Sequence, residues 1–245
     1  LNTVSSRFVS DMNFQKREEA IPSELFGSIF LGAIVSSVCA LIICLTLFFK
    51  YEVDLVFLCG YYLFAVMITV VYTSMTFVSA IKEYAKITWA FFFGILSGVL
   101  LFFLLYLFAN LEVITCIIYA IALGFLVINV IIVYYVLSFF ENSDRKYFAF
   151  AGYFSKYPLL FLSGLFYMMG LYISNIIYWF YSDVSTQIMM FHVAPTYDMA
   201  TFLAILVNLS ATVIFTVKVE TQFFVKYRQY VTSLTRANYA VIEKA

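Results

Sequence analysis

Six stretches of this 245-residue chain contain no Asp, Glu, Lys, Arg or His: 25–49, 55–81, 87–111, 113–140, 157–182 and 199–217. A helix needs about 20 apolar residues to cross about 30 Å of hydrocarbon, and all six runs reach or approach that length. They are continuously apolar, without the alternation of a membrane barrel. Helices alone then satisfy every backbone amide inside lipid. The chain is 64% hydrophobic and 11% charged, with mean hydropathy +0.99. Soluble domains carry about 25% charged residues, so the fold class is an all-α integral membrane protein with six transmembrane helices.

The connections sort the charges. KYEVD (50–54), KEYAK (82–86) and Leu111-Glu112 are tight, and 141–156 and 182–198 are longer. Because sides alternate, thirteen of the fourteen Lys and Arg fall on one side and Lys50 alone on the other. The positive-inside bias makes the thirteen-cation side cytoplasmic, and with it both ends. The chain opens on Leu1 in polar sequence and reads as an internal piece of a longer protein. A net charge of zero gives no reason to expect a nucleic-acid partner.

Two cytoplasmic segments carry an apolar face at helical period. In 218–245 it is Val219, Phe223, Tyr227, Tyr230, Leu234, Ala237 and Val241, with Lys226, Arg228 and Arg236 between. In 141–157 it is Tyr147, Phe150, Ala151 and Phe154, with Lys146 and Lys156 at the flanks. Each fits an amphipathic helix on the inner leaflet, or a helix packed on a neighbour.

Within the spans the polar side chains are neutral hydroxyls and amides. Ion-driven pumps place ionisable groups at membrane depth, so this inventory argues against proton- or sodium-driven efflux and suits an uncharged polar ligand such as a sugar. Most Ser and Thr serve as interhelical hydrogen bonds. Asn129, Asn175 and Asn208 have more donors and acceptors to satisfy and are the candidate pathway-lining residues. Ser28, Gly32, Ser36 and Ala40, and separately Gly94 and Gly98, recur at spacing four and predict close helix seams. The aromatic run 178–181 fits a headgroup belt, with sugar stacking as the other use. Asp198 stands near a helix start, where a carboxylate caps free amides. Cys39, Cys44, Cys59 and Cys116 lie in apolar runs without metal-ligand spacing, and His192 is the one histidine. No catalytic arrangement, metal site or cofactor is expected, and the chain does not read as an enzyme.

The segments RFVSDMNF (7–14), KEYAKITWAFFFG (82–94), GLYISNIIYWF (170–180), APTYDMATFLAIL (194–206) and VKVETQFFVKYRQY (217–230) resemble the PelG family of exopolysaccharide transporters, in the larger group of multidrug, oligosaccharidyl-lipid and polysaccharide exporters. The resemblance implies a two-lobed exporter of about twelve helices. Residues 1–140 would carry four helices of the N-terminal lobe, 141–157 a cytoplasmic linker, 158–217 the first two helices of the C-terminal lobe, and 218–245 a cytoplasmic segment. It implies export of a Pel-like polysaccharide for biofilm matrix across the bacterial inner membrane. The partners would be a cytoplasmic glycosyltransferase and cyclic-di-GMP-responsive membrane subunits, with Lys226 and Arg228 as a candidate dock. Arg7, Asp11, Tyr197, Asp198, Lys218 and Glu220 match the family pattern without an assigned role. Ser174-Asn175 departs from it, since an acidic-basic pair often stands there. A lipid-linked oligosaccharide flippase and a membrane scaffold for synthesis enzymes are the alternatives.

Overall fold

A computed structural model describes residues 2–81, 84–109, 111–140, 144, 147–183 and 185–236. Among the described residues, helix follows helix: α1 (Asn2–Phe14), α2 (Ala20–Tyr51), α3 (Leu55–Ile81), α4 (Tyr84–Phe108), α5 (Val113–Phe139), the short α6 (Ala151–Lys156) and α7 (Pro158–Tyr181). A hairpin of β1 (Thr186–Ile188) and β2 (Phe191–Val193) then leads into α8 (Pro195–Lys218). A π-helical turn, Val219–Phe223, joins α8 to α9 (Phe224–Arg236).

Five of these helices are long and apolar enough to cross a membrane: Ala20–Tyr51, Leu55–Val78, Ala85–Phe108, Val113–Phe139 and Pro158–Tyr181. The chain is thus an all-helical membrane protein apart from the hairpin. The sixth expected span, 199–217, lies inside α8, a helix of 24 residues. The hairpin occupies the expected loop 182–198. Its strands pair antiparallel as Thr186 with Val193 and Ile188 with Phe191, and Met189 takes a left-handed φ of 56° in the turn.

The chain divides into two compact units, Leu1–Leu171 and Tyr172–Ala245. In the first unit α5 packs between α3 and α4, α3 packs on α2, and α1 lies on α2 and α3. The tight turn after α2 explains the α2–α3 pairing. Glu52 closes α2 in a left-handed conformation (φ 52°, ψ 35°), and its N–H donates to the Leu47 carbonyl.

The α4–α5 seam is built from glycine. A Cβ on Gly98 would lie 2.9 Å from the Ala120 carbonyl oxygen, and one on Gly124 would lie 3.0 Å from that of Gly94. The expected Gly94/Gly98 seam is therefore real, and its partner surface is Ala120 and Gly124. The Ser28–Gly32–Ser36–Ala40 stripe faces α1 and α3: Ser28 Oγ lies 3.3 Å from Ser5 Oγ, and Ser36 Oγ donates to the Ala65 carbonyl at 2.9 Å.

The core gathers Phe8, Val9 and Met12 of α1, Ile21 and Leu25 of α2, Phe77 and Val78 of α3, Ile128, Ile132 and Val136 of α5, and Phe150. Phe150 belongs to the linker 141–157 and is fully buried. Phe148 meets Phe30 edge to face, Tyr153 meets Phe8 at 5.0 Å, and the Asp144 N–H donates to the Glu19 carbonyl at 2.8 Å. The described linker residues thus pack on α1 and α2, while Tyr147 and Phe148 stay about half exposed. Arg145 and Lys146 lie outside the described residues, as do Lys82 and 237–245.

Candidate functional site

Helical spacing puts Gly32 and Ser36 on one face of α2, and Thr69 and Thr73 on one face of α3. α1, running across both, adds Asn2. Between these faces opens a cleft of about 510 Å³, lined also by Tyr72, Phe154 and Phe161. The Asn2 amide donates to the Tyr72 carbonyl at 3.3 Å, holding the end of α1 at the rim. Thr69 Oγ1 donates to Ser36 Oγ at 3.1 Å and also lies within bonding distance of the Ala65 carbonyl, at 3.0 Å, while Thr73 Oγ1 donates to the Thr69 carbonyl. These hydroxyls are held in place, and their free lone pairs remain available to a ligand. An adjoining cavity of about 360 Å³ carries Asn2, Thr3, Phe161 and Gly164. Among the described residues, none that lines the cleft is charged at neutral pH. Hydroxyls and an amide beside aromatic rings give hydrogen bonds and stacking faces, the combination a neutral sugar ring uses. The groove over the α4–α5 glycines, about 350 Å³, is lined only by apolar residues and offers a sugar nothing to bond.

The expected asparagines take different places. Asn129 is buried in the α3–α5 seam: its amide donates to the Met67 carbonyl at 3.2 Å, and its Oδ1 lies 3.5 Å from Ser74 Oγ. Asn175 on α7 is partly exposed, and its Oδ1 is buried without a hydrogen-bond partner. Asn208 stands exposed on α8.

The family-matching residues fall into three groups. On α1, Arg7 and Asp11 form an ion pair at 3.1 Å, and the guanidinium lies 5.8 Å over the Tyr157 ring. Tyr153 lies beside Asp11, and burial, reinforced by the Asp11 charge, pushes its phenol above the ordinary value. Within the second unit, Tyr197 stacks on Tyr178 with centroids 3.8 Å apart. Asp198 accepts from Trp179 Nε1 at 2.9 Å and from the Ala194 N–H at 3.1 Å. The carboxylate therefore ties the start of α8 to α7; Tyr178 and Trp179 meet this corner, Phe180 lies 4.8 Å from the His192 ring, and Tyr181 is exposed. Lys218 is exposed at the end of α8, and Glu220 lies in the π-helical turn. Lys226 and Arg228 are exposed on α9, which continues the path of α8.

One residue escaped the sequence reading. α2 starts at Ala20, five residues before the apolar run, and so takes Glu24 into the helix. Glu24 is fully buried, and neither carboxyl oxygen has a hydrogen-bond partner. In sequence it looks like a charge that ends a span. Only the α1 cover makes it interior.

Comparison with known families gives one match. A family model fits residues 1–245, the whole chain: PelG, described as "putative exopolysaccharide exporter (EPS-E)". No curated protein and no solved structure matches.

Proposed function

Since this chain belongs to the PelG family of exopolysaccharide exporters, we propose that it passes a Pel-like polysaccharide across the bacterial inner membrane into a biofilm matrix. The polymer is made beside it by a cytoplasmic glycosyltransferase. α8 is the sixth crossing in this reading, both ends are cytoplasmic, and the segment belongs to a two-lobed fold of about twelve helices. Alternating access in such folds places the substrate path between repeats.

The observation that carries the proposal is the uncharged cleft of Asn2, Ser36, Thr69, Thr73 and three aromatic rings. It supports a neutral sugar polymer over a lipid-linked oligosaccharide, whose diphosphate calls for a cation, and no described residue of the cleft is one. It also speaks against a pure scaffold, for which a polar-lined opening in the helix bundle has no use. Asn175, with its unpartnered Oδ1, and the exposed Asn208 are further pathway candidates. Asn129 is a weaker one, because its amide is already engaged.

Thr69→Trp tests the cleft. It fills the opening between α2 and α3, and secreted polymer should fall about tenfold or more at unchanged protein level. Normal secretion from a folded variant removes the cleft from the export path. The partner reading is tested separately. In it the glycosyltransferase docks on Lys226 and Arg228, and cyclic-di-GMP-responsive membrane subunits complete the assembly. Lys226→Glu with Arg228→Glu should release the transferase from membranes, and undiminished co-purification would exclude that dock.

A further inference from the structure

Helix α1 packs on α2 and α3 with an apolar face of Val4, Phe8, Val9 and Met12. The buried polar side chains of these two helices are Ser5 on α1 and Ser23, Glu24 and Ser28 on α2. Ser28 is one turn along α2 from Glu24, and its hydroxyl meets that of Ser5 across the seam. Glu24 has no such partner for either oxygen. The hydrophobic core of this unit includes Ile21 and Leu25 on the same turn of α2, with Phe77, Val78, Ile132 and Phe150.

A carboxylate taken from water into such a place loses its hydration and has only the Ser5 hydroxyl to replace it, a cost that disfavours the charged form. A neutral acid escapes most of that cost. Among the described residues, no charged group of the packed elements acts on Glu24 as a counter-charge. On α1, Arg7 is paired with Asp11. On the linker, Tyr153 faces Asp11, and Lys156 lies over the Tyr153 and Tyr157 rings at 5.5 and 5.2 Å. The buried polar side chains described on α3 and α5 are the neutral Thr73, Ser74, Thr115 and Asn129, none of which carries a charge. The polar neighbour that acts on Glu24 is the Ser5 hydroxyl.

We propose that Glu24 is a proton-binding site that opens and closes with α1: the carboxyl holds a proton while α1 is seated and gives it to water when α1 lifts. The step balances as carboxylic acid plus water to carboxylate plus hydronium, with no other reactant. The inference stands on the burial of Glu24 and is independent of the export reading. It reaches the cleft through Asn2, because the helix that covers Glu24 also forms the cleft rim. Lifting α1 therefore reshapes the opening.

The test places a single thiol under α1 by Val9→Cys, with the four native cysteines replaced by alanine, and follows labelling in native membranes. An exposed reference thiol at Ser10→Cys corrects for the reagent. Between about pH 6 and about pH 10 the corrected rate should rise about tenfold with Glu24 present and stay flat in Glu24→Gln. A rise of equal size in Glu24→Gln, or no rise with Glu24 present, overturns the proposal. Tyr153→Phe removes the partly buried phenol that packs on Phe8 of α1, and the rise should survive it. Exchanging sodium for potassium at fixed pH should change nothing. A sodium-dependent rate would make the occupant an alkali ion and overturn the proton assignment. Should the Gln variant fail to accumulate, the chain with Glu24 intact still decides the matter. Its infrared spectrum should lose a protonated-carboxyl band over the same pH range in which labelling rises, and absence of that band at neutral pH overturns the proposal. Secretion by Thr69→Trp bears only on the cleft, so the two ideas fail separately.

Discussion

Two helix seams in the first unit are both made with small residues, yet they do different things. Between α4 and α5, Gly94, Gly98, Ala120 and Gly124 bring backbone to backbone, and the groove beside them is all hydrocarbon. Between α1 and α2, Ser5 and Ser28 also permit close approach, but the same two helices bury the Glu24 carboxyl and, through Asn2, Gly32 and Ser36, line a polar cleft. Lipid offers no hydrophobic drive for helix pairing, so both seams need tight packing or hydrogen bonds. The first can only hold. The second buries a titratable group under a helix, and so its stability can depend on conditions.

The most damaging change should be Gly94→Leu. Its side chain would meet Ile128 and the Gly124 carbonyl, and the seam cannot yield without separating two backbones. A loss of about 3 kcal/mol or more is expected, seen as lower melting temperature or no folded protein in detergent. A mild effect would mean that the two seams are equally pliable. Phe8→Ala comes next. It empties a site 2% exposed at the centre of the α1 cover and should cost about 3 kcal/mol, read as faster proteolysis near α1. If α1 lay loosely on the bundle, the protease pattern would not change.

A pH titration separates the seams without altering a core residue. The Tyr153 phenol is raised above its ordinary value of 10.0 by burial, with the Asp11 charge acting the same way. The folded state thus keeps the phenol protonated where the unfolded chain has begun to lose its proton. The stabilisation is complete below the unfolded value and disappears as pH rises through the folded one. Melting temperature should fall in that alkaline range, and Tyr153→Phe should reduce the fall. An unaltered alkaline slope in that variant would detach Tyr153 from the effect. The smallest response belongs to Gly152→Ala. A Cβ there has nothing within 4 Å, so stability should change by less than about 0.5 kcal/mol in the same melting assay. A large loss would place an unseen contact at that end of the linker.

Much of this was legible in residue order. Hydrocarbon has no water to solvate a charge, so long uncharged runs read as spans, and five of the six coincide with helices long and apolar enough to cross a membrane, although α2 runs past Glu24 to start at Ala20. Gly94 and Gly98 announced a seam through their spacing alone. The fate of amphipathic segments was not legible, because a lipid surface and a protein surface reward the same apolar face. The linker shows this: Phe150 went to the protein core, while its neighbours Tyr147 and Phe148 kept about half of their surface exposed. Asn129 shows the same ambiguity for polar groups, since an amide can serve a ligand or, as here, the Met67 carbonyl and Ser74.

The amino-acid order by itself determined that this chain is a helical membrane protein, where most of its helices run, and that its spans are rich in neutral polar groups. It did so because the transfer of side chains into lipid is a local property, additive along the chain. Which hydroxyls meet in the cleft of α2 and α3, and that Glu24 lies beneath α1 without a partner, were decided only by tertiary packing. Burial of a given atom depends on which distant segment covers it, and no local pattern carries that information.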